Sequence, residues 1–117
     1  MNNVDNVEIE NFLHGQLKCW NAGDRDGFFE HYRKVSPNGL DIEYLGRPVM
    51  EGFAVLEGMW DQQNSKFSVE VALSIIAANE AACHHRNVMR DGSAVIETIE
   101  LYKFEEGRTL VRYFIKQ

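Results

Sequence analysis

The sequence predicts an α+β fold in which three N-terminal helices pack against a curved antiparallel sheet and leave a pocket. Apolar residues recur at helical spacing through the first half of the chain, and they follow the two-residue period of strands from residue 67 onward. Turn residues divide this second half into four segments. A chain of 117 residues has the usual length of one domain, and we expect a single domain over residues 1–117.

Charge and composition exclude several classes of function. The chain has 12 Lys and Arg against 18 Asp and Glu, a net charge of −6, so we expect it to bind neither nucleic acid nor a membrane surface. Residues 1–5 lack the basic and apolar regions of a secretion signal, and no stretch approaches the ~20 apolar residues that cross a bilayer. Cys19 and Cys83 form no CxxC pair, which favours reduced thiols, and we expect a cytoplasmic protein.

Capping signals and apolar spacing predict the three helices. Asp5 and Glu8 fit a capping box at the start of the first helix, Gly23 fits its C-cap, and Asp24 fits the N-cap of the second. A third helix is predicted from about residue 51 to residue 62. The predicted buried faces are Ile9, Phe12, Leu13, Leu17 and Trp20 in the first helix, Phe28, Phe29 and Tyr32 in the second, and Phe53, Leu56, Met59 and Trp60 in the third.

A short strand is predicted at residues 40–45, and a four-stranded antiparallel meander follows the third helix. Turns near residues 79–80, 91–92 and 106–107 separate the four strands of the meander. The first of them alternates strictly, which predicts one buried face. That face consists of Phe67, Val69, Val71, Leu73 and Ile75.

The strand at residues 94–104 carries apolar residues on both faces. Ile96 and Tyr102 lie on one face, whereas Ile99 and Leu101 lie on the other. Since the helices can cover only one face, the other face needs a second cover. We therefore expect a homodimer that pairs through the sheet.

Two polar side chains fall where packing favours apolar ones. Gln16 lies in the middle of the first helix's apolar face, and Glu100 shares a strand face with Tyr102. An unpaired buried polar group costs about 1–3 kcal/mol, so each needs a partner. Gln16 either points into a cavity or is satisfied by a neighbouring loop. Glu100 either lies in a pocket, where apolar surroundings favour its protonated form, or pairs with Arg86 or Arg112.

The sequence offers no metal or cofactor motif. His84 and His85 are neighbours on a predicted strand, so their side chains leave on opposite faces and do not share one metal ion. GxSxG, P-loop and GxGxxG motifs do not occur, which argues against serine nucleophiles and nucleotide binding. We expect neither a metal nor another cofactor.

The order of elements and one helical corner resemble the nuclear transport factor 2-like superfamily, which includes ketosteroid isomerases and SnoaL-like polyketide cyclases. The corner is WNAGDRDGFF at residues 20–29, and NEAA at residues 79–82 is similar to its counterpart in ketosteroid isomerases. The resemblance covers nearly the whole chain. It implies a cone-shaped sheet, a cystatin-like roll, with a deep pocket and dimers formed through the sheet.

The resemblance also implies roles for three residues. Ketosteroid isomerases use an aspartate base, and they hold the enolate oxygen with a tyrosine and a protonated aspartic acid. Counted back from Gly52, Glu43 falls at the position of the base. Residues 99–104 resemble the strand with the protonated acid, which places Glu100 there, and Gln16 occupies the tyrosine position.

Two functions follow from these residues. The first is an isomerase- or cyclase-like enzyme that transfers protons on a small apolar carbonyl compound, with Glu43 as base and with Glu100 and Gln16 holding the oxyanion. The second is a non-catalytic dimeric module that binds a small molecule or a peptide. Glu43 discriminates between them, because a solvent-facing Glu43 favours binding alone. The residues expected to shape the pocket are Trp20, Met59, Trp60 and Tyr102.

Overall fold

The computed structural model describes residues 4–116 and contains three helices and a curved, six-stranded sheet within them. The helices are α1 (Asn6–Ala22), α2 (Arg25–Val35) and α3 (Gly52–Gln63), and the strands are β1 (Gly39–Tyr44), β2 (Met50–Glu51), β3 (Phe67–Ala77), β4 (Glu80–Met89), β5 (Val95–Glu105) and β6 (Arg108–Ile115). The predicted α+β class is confirmed. Most of the N-terminal segment examined for a secretion signal, residues 1–3, lies outside the described residues.

The helix ends agree with the capping signals in the sequence. The Asp5 carboxylate accepts a hydrogen bond from the Glu8 backbone N–H at 2.8 Å, and the Glu8 carboxylate accepts one from the Asp5 N–H at 3.2 Å. Gly23 ends α1 in the left-handed conformation, with φ at 73°, which glycine adopts without steric cost. Asp24 then caps α2 through the Gly27 N–H. The resulting corner sets α1 and α2 side by side.

The sheet has the strand order β2-β1-β6-β5-β4-β3. Strands β3 to β6 form the predicted antiparallel meander. Two features were not predicted: β1 pairs in parallel with β6, and the two-residue strand β2 pairs with β1. A parallel pair requires a crossover, and the chain between β1 and β6 provides it with α3 and the meander. This pairing places β1 beside the strands that carry the candidate site.

A β-bulge in β3 overturns the prediction that its apolar residues share one buried face. The pairing with β4 shifts between Val71 and Leu73, so the alternation changes sides at this point. Phe67 and Val69 face the helices, whereas Leu73 and Ile75 lie on the other face and are more than half exposed. The bulge therefore moves apolar surface from the core to the outside of the sheet.

The helices cover one face of the sheet, which we call the inner face; the opposite one is the outer face. Phe12 of α1 packs edge-on against Tyr32, Tyr102 and Phe104.

None of the helices in residues 4–116 is long and apolar enough to cross a membrane.

Candidate functional site

A cavity of about 300 Å³ lies between the helices and the inner face of the sheet. Apolar and aromatic side chains make up most of its wall, and a smaller set of polar groups converges on it, which is the usual composition of a small-molecule site. The polar lining residues are Gln16, Gln63, His85, Asn87, Thr98 and Glu100; the apolar and aromatic ones include Leu17, Trp20, Phe28, Tyr32, Tyr44, Met59, Phe67, Val69 and Tyr113.

A buried histidine–carboxylate pair forms the polar centre of this wall. The His85 Nδ1 and the Glu100 Oε2 are 2.9 Å apart, and the two residues are only 2% and 7% exposed. The Thr98 hydroxyl donates to the same Oε2 at 3.2 Å, and the Tyr102 hydroxyl donates to Oε1 at 2.6 Å. Glu100 thus has three hydrogen-bond partners, which share its two carboxyl oxygens.

The surroundings of Glu100 in the structure differ from those that the sequence predicted. The sequence suggested either an apolar setting that keeps the carboxyl group neutral or an ion pair with Arg86 or Arg112. In the structure Arg86 pairs with Glu70 and Arg112 pairs with Glu43. The partner of Glu100 is His85 on the neighbouring strand, and no such contact was predicted for His85.

The second ring nitrogen of His85 is reached from the cavity. Nε2 has no hydrogen-bond partner among residues 4–116. In that part of the chain every fully buried side-chain nitrogen or oxygen has a partner, so an atom without one is not fully buried. Nε2 is therefore accessible, and His85 lines the cavity. A carboxylate beside Nδ1 favours the tautomer with its proton on Nδ1, which leaves the Nε2 lone pair facing the cavity.

Three buried tyrosines supply neutral hydroxyl groups behind this pair. Burial raises the pKa of Tyr32, Tyr102 and Tyr113, and the nearby Glu100 carboxylate raises each of them further. The phenols therefore stay protonated at neutral pH and act as hydrogen-bond donors. The Tyr32 hydroxyl is 3.5 Å from the Gln16 Oε1.

Gln16 is buried, as its position on α1 predicted, with 2% of its surface exposed. Its Oε1 faces Tyr32, and its Nε2 has no hydrogen bond within residues 4–116. Since Gln16 lines the cavity and no buried polar atom in the described part is unsatisfied, this NH₂ group is accessible from the cavity. It is a free donor for a ligand oxygen.

The structure brings four of the predicted site residues to the cavity. Gln16 and Glu100 line it together, as do Trp20 and Met59. Tyr102, at 1% exposure, lies behind Glu100 and holds its carboxylate instead of lining the cavity. Trp60 packs against Trp20 and Phe28 and is also absent from the lining.

Glu43 does not reach the cavity. Ile42 and Tyr44 turn to the inner face, so the side chain between them in β1 points to the outer face. There the Glu43 Oε1 is 3.4 Å from the Arg112 Nε. The family-based assignment of Glu43 as base depended on counting residues back from Gly52, and the alternation of β1 sends it to the other side.

His84 and His85 leave β4 on opposite faces, as predicted. His84 lies on the outer face, 2.8 Å from a carboxylate oxygen of Glu97, and both are about one-third exposed. Within residues 4–116, no group of three or more His, Cys, Asp and Glu is placed to hold a metal ion.

The spacing of the hairpin between β4 and β5 could have predicted the contact between His85 and Glu100. A tight hairpin around residues 91–92 pairs residue 88 with residue 95, and this register sets His85 opposite Thr98 and diagonal to Glu100. The strand alternation then places His85 and Glu100 on one face.

No protein-family model and no curated protein matches the chain. Solved structures do match it. An NTF2-like protein of unknown function from Burkholderia xenovorans LB400 has a TM-score of 0.75 at 11% identity and covers 95% of this chain and 84% of its own. A cystatin-like protein of unknown function from Methylobium petroleophilum PM1 has a TM-score of 0.75 at 13% identity, and the match covers 98% of this chain and 80% of that protein. AclR from Streptomyces galilaeus, a suggested hydroxylase, has a TM-score of 0.73 at 13% identity, and the match covers 96% of this chain and 91% of that protein. At such identities the likeness shows the fold alone.

Proposed function

We propose that this chain, whose fold is that of the nuclear transport factor 2-like proteins, is an isomerase- or cyclase-like enzyme that transfers protons on a small, mostly apolar carbonyl compound. The observation that carries the proposal is the buried His85–Glu100 pair, with its 2.9 Å contact and with Nε2 open to the cavity. A base held by a carboxylate at the wall of a mostly apolar cavity is an arrangement that general acid–base catalysis uses.

In this mechanism His85 replaces Glu43 as the base. The Nε2 lone pair takes a proton from the carbon next to the carbonyl group, and the electrons of the broken C–H bond move onto the carbonyl oxygen. Glu100 stabilises the imidazolium that forms, and the Gln16 NH₂ donates to the developing enolate oxygen. Returning the proton to another carbon isomerises the compound, whereas attack of the enolate carbon on a second carbonyl group closes a ring.

A non-catalytic module that binds a small molecule in the same cavity is the second candidate. The position of Glu43 favours it, because the predicted base is paired with Arg112 on the outer face and takes no part in the cavity. On this alternative, His85 and Glu100 serve only to orient a bound ligand.

Deuterium exchange separates the two candidates. Cyclohex-2-enone, 1-tetralone and 2-acetylnaphthalene are incubated with the protein in deuterated buffer, and loss of the proton signal next to the carbonyl group is followed by NMR. We expect exchange faster than in buffer alone for at least one ketone. Binding is followed in parallel samples in ordinary water by the indole N–H signal of Trp20, which lines the cavity. Ketones that shift this signal without any exchange would leave the binding module as the function.

We also propose that the outer face of the sheet pairs with a second copy of the chain. Five apolar residues form what we call the outer patch: Leu73, Ile75, Ile99, Leu101 and Phe114. Strand pairing aligns Phe114 with Ile99 and, through Ala82 of β4, Leu101 with Ile75. The patch thus reaches across four strands, with the polar His84 between Ile99 and Leu73. Ile99 and Leu73 are 43% and 58% exposed, and an exposed apolar patch is typical of an interface.

Light scattering at micromolar concentration is expected to give a dimer, and Ile99→Lys is expected to give a monomer, because a charge inside an apolar interface loses its hydration. Val7→Lys is the matched control, since Val7 is an exposed apolar residue of α1, away from the sheet. A monomeric wild type, or a dimer that Ile99→Lys leaves intact, would exclude pairing through this patch.

A further inference from the structure

A surface groove lies next to the cavity. Tyr44, Tyr113 and Ile115 line both the cavity and the groove, so the two share one wall. Leu45, Arg47 and Met50 complete the groove. The groove therefore places the side chain of Arg47 beside a ligand that occupies the cavity.

Arg47 stands apart from the other arginines of the chain. Within residues 4–116, its guanidinium has no ion pair, hydrogen bond or ring contact, whereas each of the other six arginines has at least one. The backbone around it is held, because the Arg47 N–H donates to the Tyr44 carbonyl at 2.9 Å. Arg47 is exposed beside an apolar cavity, in a chain of net charge −6, and its guanidinium is available to an anionic group of a ligand.

The charges of the cavity fix the direction in which a ligand with one charged end binds. The Glu100 carboxylate lies in the cavity wall and disfavours a second anion there, while Arg47 attracts an anion in the adjoining groove. The apolar and aromatic wall between these ends suits an uncharged ring system. A compound that places its carbonyl group near His85 would thus carry its negative end outward.

We propose that the substrate carries a carboxylate that pairs with Arg47 in the groove while its apolar, carbonyl-bearing body lies in the cavity. This inference rests on the proposed function and adds the substrate class to it. The guanidinium can bind a carboxylate in two parallel hydrogen bonds. A carboxylate fits better than a phosphate monoester, because no second cation among residues 4–116 lines the groove to balance a double charge.

Two naphthalene probes that differ in charge test the inference. Binding of 2-naphthoate and of its methyl ester is measured by fluorescence of Trp20, which lines the cavity, and of its neighbour Trp60. In Arg47→Gln we expect the dissociation constant of 2-naphthoate to rise about fivefold, as suits a partly exposed ion pair, and that of the ester to stay unchanged. Arg33→Gln is the matched control, because it removes the same charge from an exposed position on α2.

A third probe, 2-naphthyl phosphate, carries a phosphate in place of the carboxylate, and we expect it to bind more weakly than 2-naphthoate. Three results would overturn the inference. The wild type would bind naphthoate and its ester with equal affinity, Arg47→Gln and Arg33→Gln would lose equal affinity for naphthoate, or the phosphate would bind more tightly than naphthoate. So would the failure of both the acid and the ester to bind at millimolar concentration. Deuterium exchange of neutral ketones does not depend on Arg47, so a failure here leaves the proposed catalytic function standing.

Discussion

Replacing His85 with glutamine is expected to slow deuterium exchange of the responsive ketone at least about 100-fold, since general base catalysis contributes about 10²- to 10⁴-fold. Glutamine is close in size and keeps a hydrogen-bonding group beside Glu100, but it has no lone pair basic enough to take a carbon-bound proton. The measurement is the initial exchange rate by NMR at fixed ketone concentration, with binding followed separately through the Trp20 indole signal.

His84→Gln is the matched control for this variant. It makes the same chemical change one residue earlier, on the outer face, where His84 contacts Glu97 and not the cavity. We expect its exchange rate to equal that of the wild type. If His85→Gln retains the wild-type rate, or if both variants lose it equally, His85 is not the base.

Replacing Glu100 with leucine is expected to lower the free energy of unfolding by about 3 kcal/mol. The leucine removes the acceptor shared by His85, Thr98 and Tyr102, and each buried donor left without a partner costs about 1–3 kcal/mol, with part of this loss recovered by relaxation toward the cavity. Breaking a buried pair by removing one member is strongly destabilising for the same reason. Urea unfolding of the purified variants measures the effect.

Glu100→Gln separates hydrogen bonding from charge. The amide oxygen still accepts from Tyr102, so we expect a loss of only about 1 kcal/mol. The amide NH₂ faces His85 Nδ1 and favours the tautomer with its proton on Nε2, which removes the base, so exchange should fall although the protein remains folded. Glu97→Leu, at an exposed outer-face position, should leave stability nearly unchanged. A Glu100→Leu variant as stable as the wild type would show that the buried pair is not satisfied as described.

The structure places some of the predicted site residues at the cavity and Glu43 outside it, and the reason differs from residue to residue. Gln16 was found because the period of α1 is a local property, and its neighbours on the helix determine which face is buried. Glu100 was found because strand alternation holds along β5. Glu43 was assigned by its distance along the chain from Gly52, and such counting does not fix the face of a strand as short as β1.

His85 illustrates what a single strand cannot reveal. Its importance depends on Glu100 in another strand, and the contact becomes visible only when the register of the β4–β5 hairpin is known. The bulge in β3 is a similar case. The residues Val71, Ala72 and Leu73 continue a regular alternation in the sequence, but the pairing with β4 skips one of them and reverses the faces beyond it.

The sequence by itself determined the helix ends, the meander and the burial of Gln16 and Glu100, because capping, turn chemistry and apolar period act between residues close together in the chain. Only the tertiary structure decided that β1 lies parallel to β6, that Glu43 faces outward, and that His85 meets Glu100 at a cavity beside the groove of Arg47. These features depend on register and on contacts between distant strands, where a shift of one residue exchanges the two faces of a sheet.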